Sequence, residues 1–202
     1  MSFWLLGNSF TRGYCCDGKK EHPYALELQK QLARSHSGLV AVVMAENGEL
    51  GSDVLRRLRT VANSLRCDAA CVFVGVNDID AGHTQSEVFA VIGLIARELE
   101  RRGCRQLLLC ALPACPVDSA WTTERKRGHN RALRDTYGDA RRPGGVVTVV
   151  VNSDVDLQGS VRPELFDEDG LHLTPTGYDA LGKLVFEAWH SAAAVSSTTL
   201  AA

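Results

Sequence analysis

Phe3-Trp4-Leu5-Leu6-Gly7-Asn8-Ser9-Phe10-Thr11-Arg12-Gly13 is an apolar run broken by a glycine, followed by a polar pair and a second glycine. Residues 3–7 read as a buried strand that stops at Gly7. The next side chains then stand at the strand's carboxyl end, which is where ligands bind in open α/β sheets. Ser9 is therefore the candidate nucleophile. A serine after a strand is also an ordinary turn residue, so the rest of the chain has to decide.

The same pattern recurs outward from this stretch. Residues 39–45, 68–75, 105–112 and 146–151 are further apolar runs. The run Asp68-Ala-Ala-Cys-Val-Phe-Val-Gly75 is apolar at successive positions, which implies burial on both faces, as in a parallel sheet. Between the runs lie segments of helical spacing. Tyr24, Ala25, Leu28 and Leu32 follow Pro23. Val54, Leu55, Leu58, Val61, Ala62 and Leu65 follow Ser52, a candidate N-cap. Val88, Val91, Ile92, Ile95 and Leu99 are closed by Arg101-Arg102-Gly103, with the basic side chains in the last turn. Residues 121–137 read as a highly charged helix, and 176–190 as a final amphipathic one. The Ala/Ser/Thr-rich tail from Ser191 is expected to fray. Alternating strands and helices predict an α/β, three-layer αβα fold around a parallel five-stranded sheet. Residues 1–190 are expected to form a single domain.

Composition narrows the function. The chain has 202 residues, 45% hydrophobic and 23% charged, with a net charge of −2. Such a chain buries a full core without staples. Its charge gives no electrostatic footprint for nucleic acid. The short clusters Lys19-Lys20 and Arg125-Lys126-Arg127 read as solvated surface. No apolar run reaches the ~20 residues of a membrane span, and the N-terminus lacks a signal-peptide pattern. Seven cysteines without repeated spacing fit reduced thiols in a cytoplasmic compartment. Cys15-Cys16 read as packing residues or as lining of a site near Ser9. The six histidines make no metal-ligand spacing with the cysteines, so no metal is expected.

Several polar groups fall at the predicted strand ends. Asn8-Ser9 follow the first strand. Gly48 and Gly51 follow the second, and Gly51 opens a helix. Gly75-Val76-Asn77-Asp78 follow the third, and residues 113–118 the fourth. Asp167-Glu168-Asp169-Gly170-Leu171-His172 precede the last helix. Acyl transfer to a serine needs these parts. The hydroxyl needs a base that titrates near neutrality, which histidine supplies. The base needs a carboxylate to fix its tautomer. The oxyanion needs preorganised N–H donors. Ser9, His172, Asp169, Gly51 and Asn77 supply the set.

Four blocks then resemble the SGNH (GDSL-type) hydrolase superfamily of serine esterases and lipases. Gly-Asn-Ser-Phe-Thr at 7–11 resembles its nucleophile block. Asn-Gly-Glu-Leu-Gly-Ser-Asp at 47–53 resembles the second, and Gly-Val-Asn-Asp at 75–78 the third. Asp-Gly-Leu-His-Leu-Thr-Pro-Thr-Gly-Tyr at 169–178 resembles the Asp-x-x-His block. The resemblance spans residue 3 to about 190. It implies a flavodoxin-like sheet of strand order 2-1-3-4-5 and ester hydrolysis without metal or cofactor. Ser9, Asp169 and His172 would form the triad. The N–H groups of Ser9 and Gly51 and the Asn77 amide would form the oxyanion hole. Asn8 departs from the family's aspartate. Asp167 is a neighbouring carboxylate at the wrong spacing.

The run Gly177-Tyr-Asp-Ala-Leu-Gly-Lys183 mimics a phosphate loop, but Leu184 follows where a hydroxyl is needed and no strand precedes it. Neither a G-x-S-x-G elbow nor a G-x-G-x-x-G fingerprint occurs. The expected activity is hydrolysis of small-molecule esters with short acyl chains. An acyltransferase using the same triad and a silent binding module are the alternatives. Residues 113–129, with Trp121, Glu124, Arg125 and Lys126, read as a solvated helix or as a flank of the acyl pocket.

Overall fold

The computed structural model describes residues 1–35, 37–138 and 146–198, with side chains to residue 192. Its strands are β1 (Ser2–Gly7), β2 (Tyr14–Cys15), β3 (Lys20–Glu21), β4 (Val40–Ala45), β5 (Ala69–Phe73), β6 (Gln106–Cys110) and β7 (Val147–Val151). Its helices are α1 (Ser9–Arg12), α2 (Ala25–Arg34), α3 (Gly51–Thr60), α4 (Val76–Asp80), α5 (Gln85–Arg101), α6 (Ala120–Tyr137), α7 (Ser153–Asp156) and α8 (Pro175–Thr198). The main sheet is parallel throughout, in the order β4-β1-β5-β6-β7. Counted along the sheet strands alone, that order is 2-1-3-4-5.

Period-two alternation along each strand divides the core between the two sheet faces. Phe3 and Leu5 of β1 join Cys71, Phe73 and Leu108 under α2 and α8, which contribute Leu28, Leu32, Leu181 and Val185. Trp4 and Leu6 join Ala70, Val72, Leu107 and Leu109 under α3 and α5, with Val54, Leu58, Ile92 and Leu99. Each buried valine, leucine, isoleucine or phenylalanine side chain among these contributes about 1.5–3 kcal/mol. β1 is paired on both edges, so the chain leaving Gly7 emerges at mid-sheet.

Several elements depart from the sequence reading. Ser52 does not cap α3. Leu50 is the N-cap residue, and its N–H donates to the Asp53 carboxylate at 3.2 Å. α3 also ends at Thr60, short of Leu65. The cause is Arg102, which is 1% exposed and donates to the carbonyls of Leu58, Val61 and Ala62 at 3.0–3.1 Å. A guanidinium on the last carbonyls replaces the next helical turn. The β2–β3 hairpin was not anticipated; it turns through Cys16 and Asp17, both at positive φ (53° and 54°). The last helix continues past Ser191 to Thr198, as its alanines favour. Residues 199–202 of the expected tail lie outside the described residues. Gly177 and Gly182 of the phosphate-loop mimic sit within α8, where a Cβ would meet Leu165 O at 2.3 Å and Tyr24 O at 2.6 Å. They permit close helix packing. No helix among the described residues is long and apolar enough to cross a membrane.

Candidate active site

Asn8 and Ser9 lie where β1 gives way to α1. The Asn8 side-chain oxygen accepts the Phe10 N–H at 3.1 Å and so caps the turn that carries Ser9. The uncharged amide performs this capping, which needs only an oxygen. Its Nδ2 is buried without a partner among the described residues. Ser9 is 7% exposed, and its backbone N–H donates to no group among the described residues.

The loop before α8 brings Asp169 and His172 to Ser9. His172 Nε2 is 2.9 Å from Ser9 Oγ, and His172 Nδ1 is 2.6 Å from Asp169 Oδ2. The other Asp169 oxygen accepts the N–H groups of Leu171 and His172 at 2.8 and 2.9 Å. Partial burial pushes the Asp169 carboxyl up, but the hydrogen bond from the His172 ring and these two N–H groups outweigh it. The carboxyl ends below its ordinary value. Among the described residues Asp167 makes no hydrogen bond to the ring; its carboxylate accepts the N–H groups of Cys16 and Glu168.

The other two predicted oxyanion donors, Asn77 and Gly51, stand differently from Ser9. Asn77 lies on α4, whose N-cap Gly75 has φ 115°. Its Nδ2 donates to Glu49 O at 2.8 Å, which leaves the second amide hydrogen of the same group. The Gly51 N–H is engaged by Asp78, whose two carboxylate oxygens both lie at 3.1 Å. Asp78 is 2% exposed and holds the start of α3 to α4.

The loop after β6 buttresses the Asp169–His172 loop, since Val117 N–H donates to Gly170 O at 3.1 Å. This loop corrects the reading of Lys126 as a solvated cation. Lys126 is 2% exposed and donates to both Asp118 oxygens at 2.8 Å. Buried charge is tolerated here because it is paired and hydrogen-bonded. Its Nζ also meets Cys115 Sγ at 3.3 Å, and burial pushes the Cys115 thiol up to about 11. Cys15 is buried, with its thiol likewise raised to about 11, and packs in the core.

A parallel αβα sheet with a serine, a histidine and an aspartate hydrogen-bonded in series at its carboxyl edge has the makings of a serine-type ester hydrolase. The model of the GDSL-like lipase/acylhydrolase family matches residues 5–180, and the chain belongs to that family. It is a carboxylic ester hydrolase. Solved structures agree in fold. A lipase/acylhydrolase from Enterococcus faecalis is 18% identical, with TM-score 0.71 over 92% of this chain and 93% of that one. TesA is 17% identical, with TM-score 0.75 over 95% and 99%. A carbohydrate esterase family 3 protein from Talaromyces cellulolyticus is 13% identical, with TM-score 0.72 over 93% and 95%. No curated protein sequence matches the chain.

Proposed function

We propose that the chain hydrolyses esters of short acyl chains through an acyl-enzyme on Ser9. The observation that carries this reading is the series Ser9 Oγ, His172 Nε2, His172 Nδ1, Asp169 Oδ2, with contacts of 2.9 and 2.6 Å. Ser9 Oγ attacks the ester carbonyl carbon while its proton passes to His172 Nε2. Asp169 stabilises the imidazolium. Collapse of the tetrahedral intermediate breaks the C–O bond, and His172 returns the proton to the leaving alcohol. Water then repeats the sequence on the acyl-Ser9 ester and releases the carboxylic acid.

The oxyanion is received by the Ser9 N–H and the spare Asn77 amide hydrogen. With the Gly51 N–H held by Asp78, the second backbone donor falls to Gly48. Gly48 has φ 75° and open space at its Cβ position, and its N–H donates to no group among the described residues. Its neighbours tie it between the two other donors. Glu46 pairs with Arg12 of α1, and the Glu49 carbonyl accepts Asn77. Asn77→Ala is expected to lower kcat about 10²–10³-fold with the melting temperature little changed. A loss under threefold would remove the amide from the oxyanion site.

A cavity of about 310 Å³ lies between α4, α5 and α6, bounded by Ile79, Val88, Trp121, Arg125 and His129. It is small for a ligand site, which favours short acyl groups. His129, on its wall, stands 3.4 Å from the Cβ position of Gly75, the N-cap of the helix that carries Asn77. Arg125 stacks on Trp121 at 5.0 Å. Trp121→Ala should widen the cavity and move the acyl preference toward longer chains. An unchanged preference between p-nitrophenyl butyrate and octanoate would place the acyl group elsewhere.

Reaction with a fluorophosphonate tests the whole reading. One label on Ser9, with p-nitrophenyl acetate and butyrate turned over faster than octanoate, is the expected result. A folded protein that takes no label would overturn it.

A further inference from the structure

We propose that Tyr14 is a positioning residue for His172, its ring face stabilising the imidazolium formed during turnover. This inference rests on the reading of His172 as the base. The Tyr14 and His172 ring centroids are 4.5 Å apart at an interplanar angle of 46°. Phe10 approaches His172 from α1 at 5.8 Å. The imidazole thus has aromatic neighbours as well as its hydrogen-bonded edge partners Ser9 and Asp169. A cation near an aromatic face is attracted by the ring quadrupole, so Tyr14 favours the charged ring over the neutral one. That preference acts in the transition state, where His172 takes the serine proton, and not in substrate binding.

The hairpin fixes Tyr14 in place from several directions. β2 and β3 pair Tyr14 with Glu21 and Cys15 with Lys20. Tyr178 Oη, from α8, donates to Tyr14 O at 2.8 Å. The Cys16 N–H donates to Asp167, at the start of the loop that carries His172. Asp167 N–H in turn donates to His172 O at 2.7 Å. Gly18 lies against the Tyr14 ring, where a Cβ would come within 2.9 Å of Cε2. Hairpin and histidine loop are therefore one hydrogen-bonded unit with the two rings in contact across it. The titratable groups around His172 are Asp169 on its own loop, Ser9 on α1, and Tyr14 on the hairpin. Asp167 and the Cys16 backbone engage each other, and Tyr178 is turned to the Tyr14 carbonyl.

The test compares wild type, Tyr14→Phe and Tyr14→Leu on p-nitrophenyl acetate across pH. Tyr14→Phe keeps the ring face and should hold kcat within about twofold. Tyr14→Leu should lower kcat about 3- to 30-fold with KM unchanged. It should also move the acid limb of kcat down by roughly half to one pH unit. In the Ser9→Ala background, the proton resonances of the His172 ring should lose the Tyr14 part of their ring-current shift in Tyr14→Leu, leaving that of Phe10, and keep it in Tyr14→Phe. Gly18→Ala, which displaces the Tyr14 ring without removing it, should reproduce the Tyr14→Leu profile and stands in if that variant misfolds. A Tyr14→Leu enzyme with wild-type kcat and acid limb overturns the proposal. So does a Tyr14→Phe enzyme as impaired as Tyr14→Leu, because the hydroxyl would then be the active part. Fluorophosphonate labelling separates the two levels: labelled Ser9 with an unaffected Tyr14→Leu rejects Tyr14 alone, and an unlabelled Ser9 rejects the triad with it.

Discussion

Ser9→Ala lowers turnover of p-nitrophenyl acetate by at least about 10⁴-fold while leaving the melting temperature close to wild type. The size follows from the unit character of a triad, in which loss of the nucleophile costs nearly as much as loss of all members. The unchanged fold follows from what the hydroxyl touches. Among the described residues Ser9 Oγ has one hydrogen-bond partner, His172 Nε2 at 2.9 Å. The turn that carries it is capped by Asn8, whose side chain takes the Phe10 N–H and whose carbonyl takes those of Thr11 and Arg12 at 2.9 Å. None of these bonds uses the serine side chain. Steady-state kinetics, circular dichroism and fluorophosphonate labelling on the same preparation check the claim. Residual activity above about one per cent, in a preparation free of contaminating esterase, would mean that another group attacks the ester.

The sheet was legible because its strands are apolar at successive positions, and the runs of β1, β5 and β6 are buried on both faces, while the edge strand β4 leaves Val40, Val42 and Val43 exposed. The parts of the site were legible because they stand at the ends of those strands, where parallel topology gathers them on one edge. What escaped the reading was decided by partners distant in sequence. Arg102 closes the basic end of α5 on paper but serves as the terminator of α3 in space, 44 positions from Leu58. Lys126 reads as one of three adjacent cations, yet it is buried because Asp118 folds back over it. Gly51 opens a helix and so offers an N–H, but Asp78 claims that hydrogen. The clue lay in Asp78 itself, a carboxylate behind an apolar strand that had to find donors when buried. The Tyr14 hairpin was invisible for another reason. Its strands are two residues each, too short to show alternation, and its one turn signal, Asp17-Gly18, is preceded by Cys16, which also takes positive φ.

Asp169→Asn should reduce kcat about 10³–10⁴-fold with KM nearly unchanged, the size seen when a triad carboxylate becomes an amide. The hydrogen bonds around Asp169 explain why an isosteric change is so costly. Oδ1 accepts the Leu171 and His172 N–H groups, so the amide oxygen of an asparagine must stay on that side. Its NH₂ then faces His172 Nδ1. A donor there forces Nδ1 to accept and places the ring hydrogen on Nε2, which faces Ser9. His172 in that tautomer cannot take the serine proton. Asp167→Asn is the control, since Asp167 holds the Cys16 N–H and not the ring; it should retain most activity. Equal losses in the two variants would overturn the assignment of Asp169. The pH dependence has a definite sign. The Asp169 carboxyl is depressed below the ordinary 3.8 in the folded protein, so its contribution to stability is present above that value and is lost as pH falls through the folded one. Asp169→Asn should therefore melt below wild type at neutral pH and converge on it in acid.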